Sequence, residues 1–190
     1  MKTFILSIAV IIILLSNFSS VFAHCNTMEG PVVKDAKTAI ENNNVNFVLK
    51  WVTIDNESEI KKAFNLVTKV RKLSTEAQEL ADNYFFETLV RIHRAGEGVP
   101  YTGVKPAGTP IEEKILAADK SIELGNLSPL ENHVPKAKMK HLKHLFERVM
   151  TLKNFDVNDV SAGREYIEAY VQFFHFAEGD EEKGHGHHQD

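Results

Sequence analysis

The sequence predicts an all-α protein, a helical bundle built from two pseudo-repeated helical halves joined by a Gly/Pro-rich linker. Three observations predict it. Apolar residues recur at three- and four-residue spacing along most of the chain. No stretch shows the strict alternation of a half-buried strand. A single stretch, residues 96–110, is too rich in glycine and proline for a helix and divides two runs of helical pattern.

Residues 1–23 read as a signal peptide. Lys2 gives a positive start, Phe4 to Leu15 is an apolar run broken only by Ser7, and Val21-Phe22-Ala23 ends in a small residue suited to cleavage. An uncleaved anchor is the rival reading, because Thr3 to Ala23 carries no charge and nearly reaches the roughly 20 residues that a span requires. The polar run Ser16-Asn17-Phe18-Ser19-Ser20 favours cleavage. Lipidation at Cys25 is disfavoured by the bulky His24 before it. No later segment is apolar enough to cross a membrane, so no membrane contact is expected once the leader is removed. The mature chain is expected to be exported, to a periplasm or the extracellular space.

The single helical domain is expected over 24–179, with halves 24–95 and 111–179. Gly30-Pro31 opens a first helix marked by Val33, Ala36, Ala39 and Ile40. Asn42-Asn43-Asn44 interrupts it, and Phe47, Val48 and Trp51 suggest a short second helix. Asp55 to Ser58 offers caps before Ile60, Phe64, Val67 and Val70. Thr75 with Gln78 forms a candidate capping box for a long helix reaching Ala95. Beyond the linker 96–110, helical periodicity returns in Ile111 to Leu124, Ala137 to Leu152 and Val160 to Ala177. Residues 180–190, acidic and then His-rich, are expected to be disordered and to hold Ni, Cu or Zn weakly.

The two halves match at a constant offset of 82 residues. Ala36, Ile40, Glu41 and Asn44 pair with Ala118, Ile122, Glu123 and Asn126; Phe64 and Val67 with Phe146 and Val149; Tyr84, His93 and Ala95 with Tyr166, His175 and Ala177. The shared Tyr-to-His spacing is harder to attribute to helical periodicity than the rest. Two half-bundles around one core are the expected result.

Composition narrows the function. With 22 basic against 26 acidic residues the chain is net acidic, and it lacks a basic stripe with interleaved aromatics, which excludes nucleic-acid binding. Its one cysteine, Cys25, cannot form an internal disulfide. No Ser-His-Asp or Cys-His-Asn set, phosphate loop, CxxC pair or haem-attachment motif is present.

Cleavage after Ala23 would place a free α-amine, the His24 imidazole and the Cys25 thiol within two residues of one another. Amine, amide nitrogen, imidazole and thiolate together suit Ni(II) or Cu(II) rather than Mg or Ca. The run His24-Cys25-Asn26-Thr27-Met28-Glu29-Gly30 resembles the amino-terminal hook of nickel superoxide dismutase, His-Cys-Asp-Leu-Pro-Cys-Gly. That resemblance implies ligation by the amine, His24 and Cys25, and it places Glu29 where the second thiolate stands. A carboxylate does not lower the potential of higher-valent nickel as a thiolate does, so dismutase chemistry does not transfer directly. The chain also resembles a bacterial exported family of uncharacterised function. Its members begin His-Cys-Asp-Thr-Met-Asp-Gly-Pro-Val-Val and carry a block like Tyr84 to Gly98; this likeness spans the mature chain and implies no activity.

His93 and His175 are the candidate partners of the hook, with Glu168 as a carboxylate orienting His175. The bland alternative is a buried neutral histidine, since His93 falls between Leu89 and Phe86 on an apolar face. Tyr84 and Tyr166 read as core residues. Glu87 and Arg91 read as a helix-surface pair, and Arg91, Arg94, Glu97 and Tyr101 as a set that could line a pocket. His141 and His144 fall off the apolar stripe, among Lys138, Lys140 and Lys143, on a solvated face. The metal set is therefore His24, Cys25, Glu29, His93 and His175, holding Cu or Ni. Three functions follow: a redox protein able to disproportionate superoxide, a non-catalytic sequestration or delivery protein, or a structural helical protein without metal. Homo-oligomerisation stays open.

Overall fold

Helical periodicity becomes seven α-helices and no strand among the described residues of the computed structural model, which describes residues 24–179. The predicted signal segment 1–23 and the tail 180–190 lie outside the described residues. No helix among the described residues is long and apolar enough to cross a membrane.

In the first half, α1 (Pro31–Glu41) starts with Pro31, whose missing N–H is no loss in a first turn. It buries Val32, Val33, Ala36, Ala39 and Ile40. A single turn, α2 (Asn46–Leu49), and a 3₁₀ turn (Ile54–Asn56) lead to α3 (Glu57–Val70). Glu57 and Glu59 open α3 and Lys69 closes it, each complementing the helix dipole, while Ile60, Ala63, Phe64 and Val67 face inward. The long α4 (Thr75–Gly96) is capped by Ser74, not Thr75: its side chain accepts from the Ala77 amide at 3.1 Å. Both residues carry hydroxyls, and Ser74 is the one held in extended backbone before the first turn.

Three further helices follow. Helix α5 (Glu113–Leu124) buries Ile115, Ala118 and Ile122. Two 3₁₀ turns (Ser128–Leu130 and Lys136–Lys138) precede α6 (Met139–Leu152), whose inward side chains are Leu142, Phe146 and Val149. Asp159 caps α7 (Val160–Glu178), accepting from the Ala162 amide at 3.0 Å. In each half the last helix is central: α3 and α1 pack on α4, and α6 and α5 pack on α7. Element bounds run in step at the offset of 82, for instance Glu57–Val70 against Met139–Leu152 and Ile54–Asn56 against Lys136–Lys138. The long helices differ at their starts, Thr75 against Val160.

One cluster of buried apolar residues runs through both halves, with Phe85, Leu89, Phe173 and Phe174 at its centre. Polar contacts then join the halves. Arg164 donates to Val52 O (3.0 Å), Leu49 O (3.3 Å) and Glu57 Oε1 (2.6 Å). Asn44 and Asn46 both donate to Asn158 Oδ1. A Cβ at Gly163 would stand 3.1 Å from Lys50 Cβ and from the Phe155 ring, so glycine lets α7 approach the chain after α2.

Three side chains differ from the sequence expectation. Tyr84 is 52 % exposed rather than in the core, since α4 turns that face to solvent. Arg91 pairs with Glu59 at 2.7 Å and not with Glu87. Glu87 instead accepts from the Val104 amide. His141 and His144 are exposed.

Candidate metal centre

The segment after the predicted cleavage point does not hang free. His24 and Cys25 are helical and are followed by a turn in which the Thr27 hydroxyl donates to His24 O at 3.2 Å. The Met28 amide then donates to Lys105 O (3.0 Å), and the Lys105 amide to Asn26 O (2.7 Å), forming an isolated parallel bridge between Thr27 and Lys105. The glycine- and proline-rich linker therefore does more than connect: it clamps the hook from one side. Gly30 is required by space, because a Cβ there would lie 2.1 Å from His24 O. Its φ of −74° is open to any residue.

This clamp buries the hook. His24 and Cys25 are each 4 % exposed. The His24 ring lies parallel to Phe174, 6.1 Å between centroids, and its Nε2 is 2.9 Å from Asp119 Oδ2. Asp119 Oδ1 accepts from the Tyr170 hydroxyl at 3.0 Å. Burial pushes the Cys25 thiol far above the ordinary thiol range; Glu97, Asp119 and Glu178 push the same way, and Arg94 opposes them. Those four residues come from the last turn of α4 and the chain just beyond it, from α5, and from the last turn of α7. The thiol thus sits where the carboxyl-terminal ends of the two central helices converge. Such ends carry negative partial charge and favour a cation.

His93 occupies the same locality and is 4 % exposed. Its Nδ1 is 2.9 Å from Trp51 O, which fixes the ring, and Trp51 packs edge-on against both His93 and Tyr170. His93 Nε2 has no hydrogen bond and lies 3.4 Å from Glu97 Oε1. Glu97 Oε2 likewise has none and lies 3.6 Å from Arg94 Nη1. Asn26 Oδ1 and the Tyr101 hydroxyl are also buried without a partner.

The predicted metal set is therefore only partly assembled. His24, Cys25 and His93 are all buried, each 4 % exposed. Glu29 does not join them: it is exposed, and its carboxylate accepts from the Gly108 amide at 2.9 Å, capping the linker. Glu168 accepts from Gln172, which accepts from Arg148, so it belongs to a surface chain of polar groups. His175 is half-buried on the same turn of α7 as Glu178. Among the described residues no three His, Cys, Asp or Glu side chains are gathered as a ready metal cage. The α-amine donor would exist only in a chain cut after Ala23, a junction at the border of the described residues.

Sequence reasoning missed Asp119 and Glu178. Asp119 had a signal: it adjoins Ala118 and stands three residues before Ile122, at the edge of the buried stripe of α5. Glu97 stands four residues after His93, the spacing at which helical side chains meet. Residues 29–176 match the model of a family described as one of unknown function (DUF6448). No curated protein and no solved structure matches the chain.

Proposed function

The chain belongs to DUF6448, a family of unknown function, and from its own residues we propose that it is an exported metal-binding protein that takes one copper or nickel ion where its two halves meet. Cys25, His93 and Glu97 are the donors we assign, with His24 as a fourth through Nδ1, since its Nε2 is engaged by Asp119. A carboxylate on the far ring nitrogen is the usual way a ligating histidine is oriented. We also infer that the two halves are internal copies, so that His93 and His175 occupy related positions near the ends of α4 and α7.

The observation that carries this reading is the burial of the only thiol within electrostatic reach of Glu97, together with His93 Nε2 and Glu97 Oε2, which lack hydrogen bonds. A buried polar atom without a partner costs about 1–3 kcal/mol. A cation would satisfy both atoms at once and would replace the thiol proton. Thiolate with imidazole suits Cu and Ni, and the surrounding carboxylates and helix ends favour positive charge, opposed by the buried Arg94 guanidinium 3.6 Å from Glu97. Sequestration or delivery fits better than superoxide turnover, because a buried hook offers no open position to a dissolved substrate. Export rests on the pattern of residues 1–23 alone.

A second reading has its own support. The His24–Asp119 contact and the Thr27–Lys105 bridge are what a purely structural latch between the halves would use. One experiment separates them: isolate the processed protein from an exporting host, sequence its amino terminus, and measure metal content in wild type, Cys25→Ser and His93→Gln. The metal reading expects a terminus at His24 and one ion per chain, lost in both variants. A metal-free wild type, or equal metal in all three, overturns the metal reading of the hook and leaves the latch.

A further inference from the structure

The chain is net acidic, yet residues 132–146 hold four lysines and three histidines and no acidic residue. Lys136 and Lys138 lie in the 3₁₀ turn before α6, and Lys140, His141, Lys143 and His144 in its first two turns. All of these except the half-buried Lys138 are exposed. Lys143 is matched by Glu147 at 3.8 Å, whereas Lys136, Lys138 and Lys140 have no carboxylate within salt-bridge distance among the described residues. Helix α6 adds to this imbalance. No acidic residue stands in its first turn, Lys138 supplies no side-chain cap, and the amino end of a helix is itself positive.

The end of α7 is seated on this patch. Phe176 packs against the His141 ring, 4.6 Å between centroids, and lies under Lys138 Nζ at 5.7 Å. Lys114 Nζ donates to Glu178 O at 3.3 Å. Gly179, at φ 105°, then ends the helix in the left-handed region. The next three residues, Asp180-Glu181-Glu182, are the one run of three consecutive acidic residues in the sequence. They lie outside the described residues, but the chain limits their reach. At about 3.6 Å per residue they stay within about 11 Å of Gly179, which is about 5 Å along the helix from Phe176. The acidic run therefore leaves the fold beside Lys138, with Lys136 and Lys140 two residues to either side.

We propose that Asp180-Glu181-Glu182 folds back onto the basic amino end of α6 and is held there by Lys136, Lys138 and Lys140, so that this face is occupied by the chain's own tail. The proposal is independent of the metal reading. Exposed ion pairs are individually weak. Tethering favours the tail over an outside anion, because a short linker holds it at a roughly millimolar effective concentration however dilute the protein. The contact should dissolve at 1 M salt, where charges are screened beyond about 3 Å.

Trypsin cleavage after Lys183 reports the docked fraction, since the protease must take the tail off the face and cleavage tracks the open population when opening is fast. The processed full-length protein is compared with Lys136→Glu/Lys140→Glu, which leaves the cleaved sequence intact, and with Lys62→Glu/Lys72→Glu, the same charge change at exposed sites in the first half. At low salt the α6 variant should be cut about fivefold faster than wild type, as the loss of two exposed ion pairs implies, and the control at the wild-type rate. At 1 M salt all three should be cut alike. Amide NMR spectra give the location: Asp180→Asn/Glu181→Gln/Glu182→Gln should shift the resonances of residues 136–144 and leave those of α3 in place. Equal cleavage of all three proteins at low salt, or unmoved 136–144 resonances, overturns the proposal. So does a patch whose resonances move only on adding poly-L-glutamate, which would make it a site for an outside polyanion.

Discussion

Substituting Gly30 by alanine puts the hook's tightest contact to the test. The new Cβ would lie 2.1 Å from His24 O and 3.1 Å from Thr27 Oγ1. The first of these atoms is backbone, so no side-chain rotation relieves the clash. The turn must open, and two hydrogen bonds depend on it: Gly30 N to Thr27 O at 3.0 Å and Thr27 Oγ1 to His24 O at 3.2 Å. Overpacking of this kind costs about 1–3 kcal/mol, and each hydrogen bond lost adds about 0.5–1.5 kcal/mol. Some of that overlaps, so a total of about 2–4 kcal/mol is expected, against about 2–4 °C in Tm per kcal/mol for a domain of this size. Thermal unfolding followed by circular dichroism should show Tm lowered by about 5–15 °C. The Cys25 thiol, protected from maleimide in the native wild type, should become reactive in the variant below its Tm. A Tm unchanged within a degree, with the thiol still protected, would refute the account of a hook locked by backbone contact.

Other consequences concern the seam between the halves. Arg164→Met removes three hydrogen bonds, two to carbonyls and one to a carboxylate, and should destabilise by about 2–4 kcal/mol in urea unfolding; a loss under half a kilocalorie would show that Arg164 is not structural. Glu57, held by Lys61 and Arg164, titrates below its ordinary value of 4.5. A depressed carboxyl stabilises the fold above that ordinary value, and the contribution is lost as pH falls through the lower folded value. Glu57→Gln should therefore flatten the acid limb of stability against pH, and an unaltered limb would rule the pair out as its source.

Much of the framework was legible because helix packing writes itself into spacing. Ile60, Phe64 and Val67 marked α3 as surely as Leu142, Phe146 and Val149 marked α6, and the burial of His93 followed from its place beside Leu89. What could not be read were contacts made by backbone. The linker 96–110 looked like a spacer because its pairing with Asn26 to Met28 uses amides and carbonyls, which every residue carries. For the same reason Glu29 was misassigned to the hook: its partner is the amide of Gly108, and no side-chain pattern announces that. Tyr84 and Tyr166 share a register yet differ in surroundings, since Tyr166 faces a cleft between the halves and the Phe155 ring whereas Tyr84 faces solvent. Periodicity assigns a face to a residue and does not say what covers that face.

The burial of His24 and Cys25 also bears on the order in which the molecule can be made. Asp119 and Phe174, which meet His24, and Lys105, which pairs with Asn26 and Met28, all lie far downstream, so the first residues of the described chain are the last that can be seated. Contacts so distant in sequence form late, after local helices have been made. Until α7 has been synthesised, the His-Cys segment lacks the Phe174 ring it docks on and stays open to solvent. Once the halves close, that interval ends. The tight turn at Gly30 thus makes the His24–Cys25 segment a late-seated part of the folded core.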